Sequence, residues 1–103
     1  MADVSLSPRA QLDLESIVLH VAVVLGAPEA ARGIADSVYE TLDRLATFPE
    51  LGAPFEHEEL AHAYRRILVG HHWLYYTLDG RNVKVMRIFH ERQDIEDYAL
   101  VEL

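Results

Sequence analysis

The side chains able to do chemistry gather in three places: Arg65-Arg66, His71-His72 and His90-Glu91-Arg92-Gln93-Asp94. His90 titrates near neutrality without help from its surroundings. Arg65 and Arg66 are neighbours on a predicted strand, so they face opposite ways. One is expected over a helix layer, holding a helix end or a loop carboxylate, and the other on the open face. His71-His72 invites a metal reading, but adjacent strand residues point apart and cannot chelate one ion together. His20, His57 and His62 have no ligand spacing with one another, so neither a metal nor any other cofactor is expected. Trp73, Tyr75 and Tyr76 could stack nucleic-acid bases. Aromatic residues on strands serve equally as core and hairpin packing, which is the expectation here.

Elements must hold these side chains in place. All three clusters lie between Tyr64 and Asp94, where runs of β-branched and aromatic residues are split by Gly70 and by Asp79-Gly80. That punctuation predicts hairpin-linked strands at about 64–69, 71–78 and 83–89. On the middle strand His71, Trp73, Tyr75 and Thr77 would share one face, and His72, Leu74, Tyr76 and Leu78 the other. Upstream, Val4-Ser5-Leu6 alternates as a short strand. Ser7-Pro8 reads as a helix start, a capping serine followed by a proline at the first helical position. Ala10, Leu14, Ile17, Val18, Val21 and Leu25 form the helix stripe. Asp13 and Glu15 favour its early turns through the helix dipole, and Gly26 ends it. Pro28 opens a second helix with the stripe Ala31, Ile34, Ala35, Val38, Leu42 and Leu45, stopped at Thr47-Phe48-Pro49. The short link makes the two helices an αα-hairpin. Residues 49–63 read as a loop with one helical turn at 58–63, and Ile95 to Leu103 as a short helix or an extended piece. The order β-α-α-β-β-β predicts a two-layer α+β domain, the helical hairpin packed on a small antiparallel sheet.

The 103 residues make a single domain, and half of them are hydrophobic, enough for a packed core. The absence of cysteine excludes disulfides and thiolate metal sites and is consistent with a reducing cytosol. The first fifteen residues lack a signal-peptide layout, and no apolar run approaches the ~18 residues of a membrane span, so a cytoplasmic location without a membrane partner is expected. The formal net charge is −8. Residues 1–63 hold three arginines against eleven acids; residues 64–94 hold six basic groups against three acids. The acidic whole argues against direct nucleic-acid binding, while the locally basic strand region can receive an acidic partner.

Five stretches then line up in order. They are LSPRAQLDLESI (Leu6 to Ile17), Leu45-Ala-Thr-Phe-Pro49-Glu-Leu-Gly52, Tyr64-Arg65-Arg66-Ile67, His72-Trp73-Leu74-Tyr75-Tyr76, and Val85-Met-Arg87-Ile-Phe-His90-Glu-Arg92-Gln-Asp94. They resemble the L-S-x-x-A-x-x-D-L-x-x-I, L-x-x-x-P-x-x-G, Y-R-x-I, aromatic-strand and V-x-R-V-x-H-x-R-x-D patterns of the ParE/RelE toxin superfamily, in its ParE-like branch. The resemblance covers some ninety residues.

The resemblance implies the toxin of a type II toxin–antitoxin system, held inactive by a cognate, ParD-like antitoxin whose C-terminal segment wraps it. It implies inhibition of DNA gyrase by binding, with no catalytic residue of its own. The contact surface would draw on Tyr64, Arg65, Arg66, Arg87, His90, Glu91, Arg92 and Asp94. Arg92 and Asp94 also fit a plain strand end with solvated charges, worth little to stability. The alternative is the sister branch, the RelE-like ribosome-dependent messenger-RNA endoribonucleases. Such cleavage needs a charge-stabilising group at the phosphate and proton-transfer groups beside it. Arg65 or Arg66 would serve the phosphate, and His90, Glu91 or Tyr98 the protons. Ribosome-directed relatives tend to be strongly basic, which this chain is not.

Overall fold

The computed structural model describes residues 2–56 and 63–93. Five strands and two helices make up these residues: β1 (Val4–Leu6), α1 (Pro8–Leu19), α2 (Pro28–Thr47), β2 (Ala53–Phe55), β3 (Tyr64–Val69), β4 (His72–Asp79) and β5 (Asn82–His90). The sheet order is β1-β5-β4-β3-β2. The two-layer α+β arrangement follows the sequence expectation, with two additions. β1 pairs parallel to β5, Val4 opposite Val83 and Leu6 opposite Val85, so the sheet is mixed. β2 lies inside the stretch read as loop and pairs antiparallel with β3, Ala53 opposite Arg66. Three residues containing Pro54 carry no strand signal, yet a proline fits an edge strand, where one N–H has no ladder partner. The helical turn expected at 58–63 and the fate of 95–103 fall on residues outside those described, save Ala63.

α1 begins as its sequence directs. The Ser7 hydroxyl accepts the Ala10 N–H at 3.0 Å, and Pro8 occupies the first turn. The same hydroxyl donates to the Met86 carbonyl at 2.9 Å, so the cap also fastens the helix to β5. After Leu19 the backbone widens into a π-helical turn, His20–Val24, in which the Leu25 N–H reaches the His20 carbonyl at 3.0 Å. Such turns insert one extra residue into a helix. Gly26, at φ 63°, ends it in the left-handed conformation that glycine adopts freely. In α2, Ala31, Val38 and Leu45 recur every seventh residue on the buried face.

Ala10, Leu14, Val38 and Leu45 from the helices meet Leu74, Tyr76, Val83, Val85 and Ile88 from the sheet in the main core. The opposite sheet face holds a smaller cluster of Tyr64, Tyr75 and Phe89, packed by Phe55, Trp73 and Met86. Neighbouring Tyr75 and Tyr76 therefore point into different cores, as strand alternation requires. A bulge lies beside them: Tyr75 pairs with Arg87 and Tyr76 with Val85, leaving Met86 between. Among the described residues, no helix is long and apolar enough to cross a membrane.

Candidate partner-docking surface

The helix-free face of the sheet gathers the aromatic side chains around one arginine. The Arg66 guanidinium lies 4.1 Å from the Trp73 ring centroid and 4.9 Å from that of Phe55. Its Nη1 donates to the Tyr75 hydroxyl at 3.3 Å. Tyr75 meets Phe55 and Phe89 edge-on, at 5.2 and 5.8 Å between centroids. A guanidinium on an aromatic face gains quadrupole attraction while its outer N–H groups stay available. Arg66, Trp73, Phe55 and Met86 are each half-buried, so this face presents cation and aromatic carbon together.

Arg65 has the structural role expected for one member of the pair. Its Nη1 donates to the carbonyls of Gly52 at 2.6 Å and Glu50 at 3.2 Å, which are loop backbone groups just past α2 rather than the expected helix end or loop carboxylate. Tyr76 ties down the same loop. Its hydroxyl donates to the Pro49 carbonyl at 2.8 Å and accepts the Gly52 N–H at 2.8 Å. Burial pushes the Tyr76 phenol above its ordinary pKa, with the Gly52 bond and Arg65 pulling the other way, so it stays a neutral donor and acceptor.

Arg87 and Tyr64 are buried. Arg87 Nε and Nη2 donate to the Asp13 carboxylate of α1 at 2.7 and 3.0 Å, and the guanidinium lies 4.5 Å from the Phe89 ring centroid. Asp13 also accepts the Ile88 N–H at 3.0 Å, just beyond the point where β1 stops pairing with β5. Asp13 was expected only as a dipole-favoured acid; its main role is to receive Arg87 and cap the free edge of β5. Both members stand at fixed positions of the matched motifs, the D of the first and the R of the last, and that coincidence is the signal that could have paired them.

His90 ends β5 opposite His72. Its Nδ1 accepts the Arg92 N–H at 3.1 Å, and its own N–H donates to Gln93 Oε1 at 2.7 Å. Glu91 pairs with His71 at 3.0 Å, both partly exposed. His71 lies in the turn before β4, so it does not share a face with Trp73; it and His72 reach the same cleft. Among the described residues, no three His, Asp or Glu side chains converge as a metal ligand set. Asp94 and Tyr98 fall outside the described residues.

These placements separate the residues of the nuclease alternative. Arg66 pairs with Tyr75 on the helix-free side, whereas His90 pairs with His72, which faces the helices. The sites lie three residue steps along and two strands across, on the order of 10 Å in each direction. Arg65 is engaged with loop carbonyls one step further away.

The uncovered surfaces among the described residues include two of interest. β2 is an outer strand of the sheet, with Ala53 and Pro54 exposed. On the helical hairpin Leu12, Leu19 and Val23 are 58, 64 and 67 % exposed, a stripe at i, i+7 and i+11 separate from the core stripe.

Known proteins agree with this architecture. A family model described as "ParE toxin of type II toxin-antitoxin system, parDE" matches residues 4–95. Toxin ParE1 of Mycobacterium tuberculosis, in strains CDC 1551 and H37Rv, is 30 % identical over 92 residues, covering 88 % of this chain and 91 % of the relative. Among solved structures, a chain of the chromosomal ParDE system from P. aeruginosa superposes with a TM-score of 0.70 at 22 % identity, covering 87 % of this chain and 96 % of that one. A chain of the RelBE2 toxin–antitoxin complex from M. tuberculosis gives 0.56 at 20 % identity, over 86 and 96 %. With its fastened helix cap, its Asp13–Arg87 edge and its pinned Pro49–Gly52 loop, the chain belongs to the ParE toxin family of type II toxin–antitoxin systems.

Proposed function

We propose that this protein inhibits DNA gyrase by binding it, and that a cognate, ParD-like antitoxin neutralises it in the cytoplasm. The observation that carries the reading is the separation of Arg65 and Arg66 from His90. One arginine is committed to loop carbonyls and the other to aromatic faces, on the opposite side of the sheet from the imidazole. General acid–base cleavage needs its groups within hydrogen-bond reach of one reacting centre. A recognition surface needs the opposite: aromatic and guanidinium anchors spread over one face, which is the composition that dominates binding energy at interfaces. The Arg66–Trp73–Phe55 face supplies that.

The antitoxin reading is supported by family membership and by the two uncovered surfaces. The exposed edge of β2 offers backbone groups to an extended segment, and the Leu12–Leu19–Val23 stripe suits the apolar side of an amphipathic helix. The test is a gyrase supercoiling reaction. Added protein should stop supercoiling and accumulate cleaved DNA, and the antitoxin should restore activity. Arg66→Ala should weaken inhibition at least tenfold while leaving the fold intact. Undisturbed supercoiling, together with cleavage of messenger RNA on translating ribosomes, would overturn the reading.

A further inference from the structure

The end of the sheet away from Gly52 carries a concentration of imidazoles that the docking face does not use. His72 opens β4 and His90 closes β5, paired in register, with ring centroids 5.2 Å apart and the rings edge-on. His71, in the preceding turn, stacks on His90 at 6.2 Å. His20 of the π-helical turn completes the group. The four histidines, with Ile17, Val21, Leu25 and Ile34, wall a mostly apolar cleft of about 680 Å³ between the tip of the helical hairpin and the end of the sheet. The π-helical turn itself packs on α1 and α2. Among the described residues it makes no close backbone contact with any strand, so the cleft separates the hairpin tip from the histidine end.

His72 is only 8 % exposed, on the helix-facing side with Leu74 and Tyr76. Its surroundings favour the neutral ring. Burial comes first, then the like charge that His90 and His71 would carry; all three hold its pKa below the ordinary imidazole value, and Glu91 works in the other direction. Across the cleft, the titratable group on the π-helical turn is His20; α1 brings Ser16 and Ile17, α2 brings Ile34, and β3 places Val69 opposite. Glu91 is held by His71 at 3.0 Å, so the nearby carboxylate is already engaged. A proton on His90 Nδ1 would also displace the Arg92 N–H that it accepts.

We propose that this histidine end is an acid-sensitive clasp: neutral imidazoles keep the ends of β4 and β5 together beside the cleft, and proton uptake loosens this end while the rest of the sheet stays paired. The sign follows from linkage. A freed His72 takes up a proton near pH 6.5, the clasped one only at lower pH. Between those values the open state binds more protons, so the closed state weakens as the pH falls below about 6.5 and is fully present above it.

The experiment is amide hydrogen exchange on the full chain at pH 7.5 and 5.5, corrected for intrinsic rates, with wild type and His72→Phe side by side. Phenylalanine keeps an aromatic ring against His90 and cannot take a proton. Wild type should lose protection several-fold at pH 5.5 in peptides covering 70–74 and 88–92. Peptides covering β2 and its half of β3 should not change. In His72→Phe the pH effect at the clasp should vanish. If that variant fails to fold, His72→Gln replaces it, and the imidazole resonance of His72 in wild type should titrate below 6.5. An equal pH effect in wild type and variant, a loss spread evenly over the sheet, or a His72 midpoint at or above 6.5 would overturn the proposal.

Discussion

The two ends of the sheet are built on opposite terms. At the Gly52 end, backbone approaches side chain so closely that a Cβ on Gly52 would sit 2.8 Å from the Arg66 carbonyl and from the Tyr76 ring and hydroxyl. Tyr76 and Arg65 answer the carbonyls of Pro49, Glu50 and Gly52 and the N–H of Gly52. Neither side chain changes charge near neutrality, because burial raises the phenol and guanidinium stays protonated. At the histidine end the strand ladder and the Glu91 N–H bond to the His71 carbonyl are joined by ring-on-ring contacts, an exposed His71–Glu91 contact and an apolar cleft. The first end is fixed by side chains bonded to backbone groups, the Tyr76 bonds buried and the Arg65 bonds nearer the surface. The second is held by groups that water and protons can reach. Rigidity and responsiveness are thus divided along the strands.

Substitutions can break or sharpen that contrast. The largest effect is expected at Gly52. Gly52→Ala forces backbone or the buried Tyr76 ring to move, and a chemical melt should show a loss of about 3 kcal/mol; a loss below about 1 kcal/mol would mean the loop is free to shift. Tyr76→Phe keeps the ring and leaves the Gly52 N–H and the Pro49 carbonyl without this partner, for about 2 kcal/mol. The same melt should find that deficit unchanged between pH 5.5 and 7.5. The smallest effect belongs to the other end. Glu91→Gln removes the carboxylate that meets His71 Nδ1 at 3.0 Å, an exposed contact that is an ion pair only when the imidazole is protonated and is worth no more than about 0.5 kcal/mol at pH 7.5. Below pH 6.5 the variant should become measurably weaker than wild type, because the carboxylate opposing the imidazolium charges is gone. A large loss at pH 7.5 would put the histidine end on the same footing as the Gly52 end.

Much of the fold was legible because its pins are side chains with plain local signals. Ser7-Pro8, Gly26, Gly70 and Asp79-Gly80 each mark an element boundary where the backbone has one. β2 was not legible, since three residues with a proline carry no periodicity. His71 was assigned to a strand face when it lies in the turn, a shift of one residue that changes which cleft it enters. Most instructive are the motif residues. Ser7, Asp13, Pro49, Gly52, Arg65 and Arg87 all prove to be capping, edge-sealing or loop-pinning groups. Motifs of that kind recognise an architecture with assurance and say little about its target. Of the face proposed for docking, Arg66 was already a candidate, as one arginine was expected on the open face, whereas Phe55 and Met86 stand outside the patterns or at a variable position and left no trace to read.

The parallel pairing of β1 with β5 joins residues 79 positions apart, through Val4–Val83, Ser5–Lys84 and Leu6–Val85. The opening strand thus has no strand neighbour without β5, and α1 depends on the same strand, because Met86, Arg87 and Ile88 supply its side-chain fastenings. Contacts of such long range slow folding. They also mean that a chain interrupted before β5 leaves its first strand without a ladder partner, with only the helices to pack on. The seam that joins the first strand to β5 is therefore the part of this fold that a shortened chain cannot build.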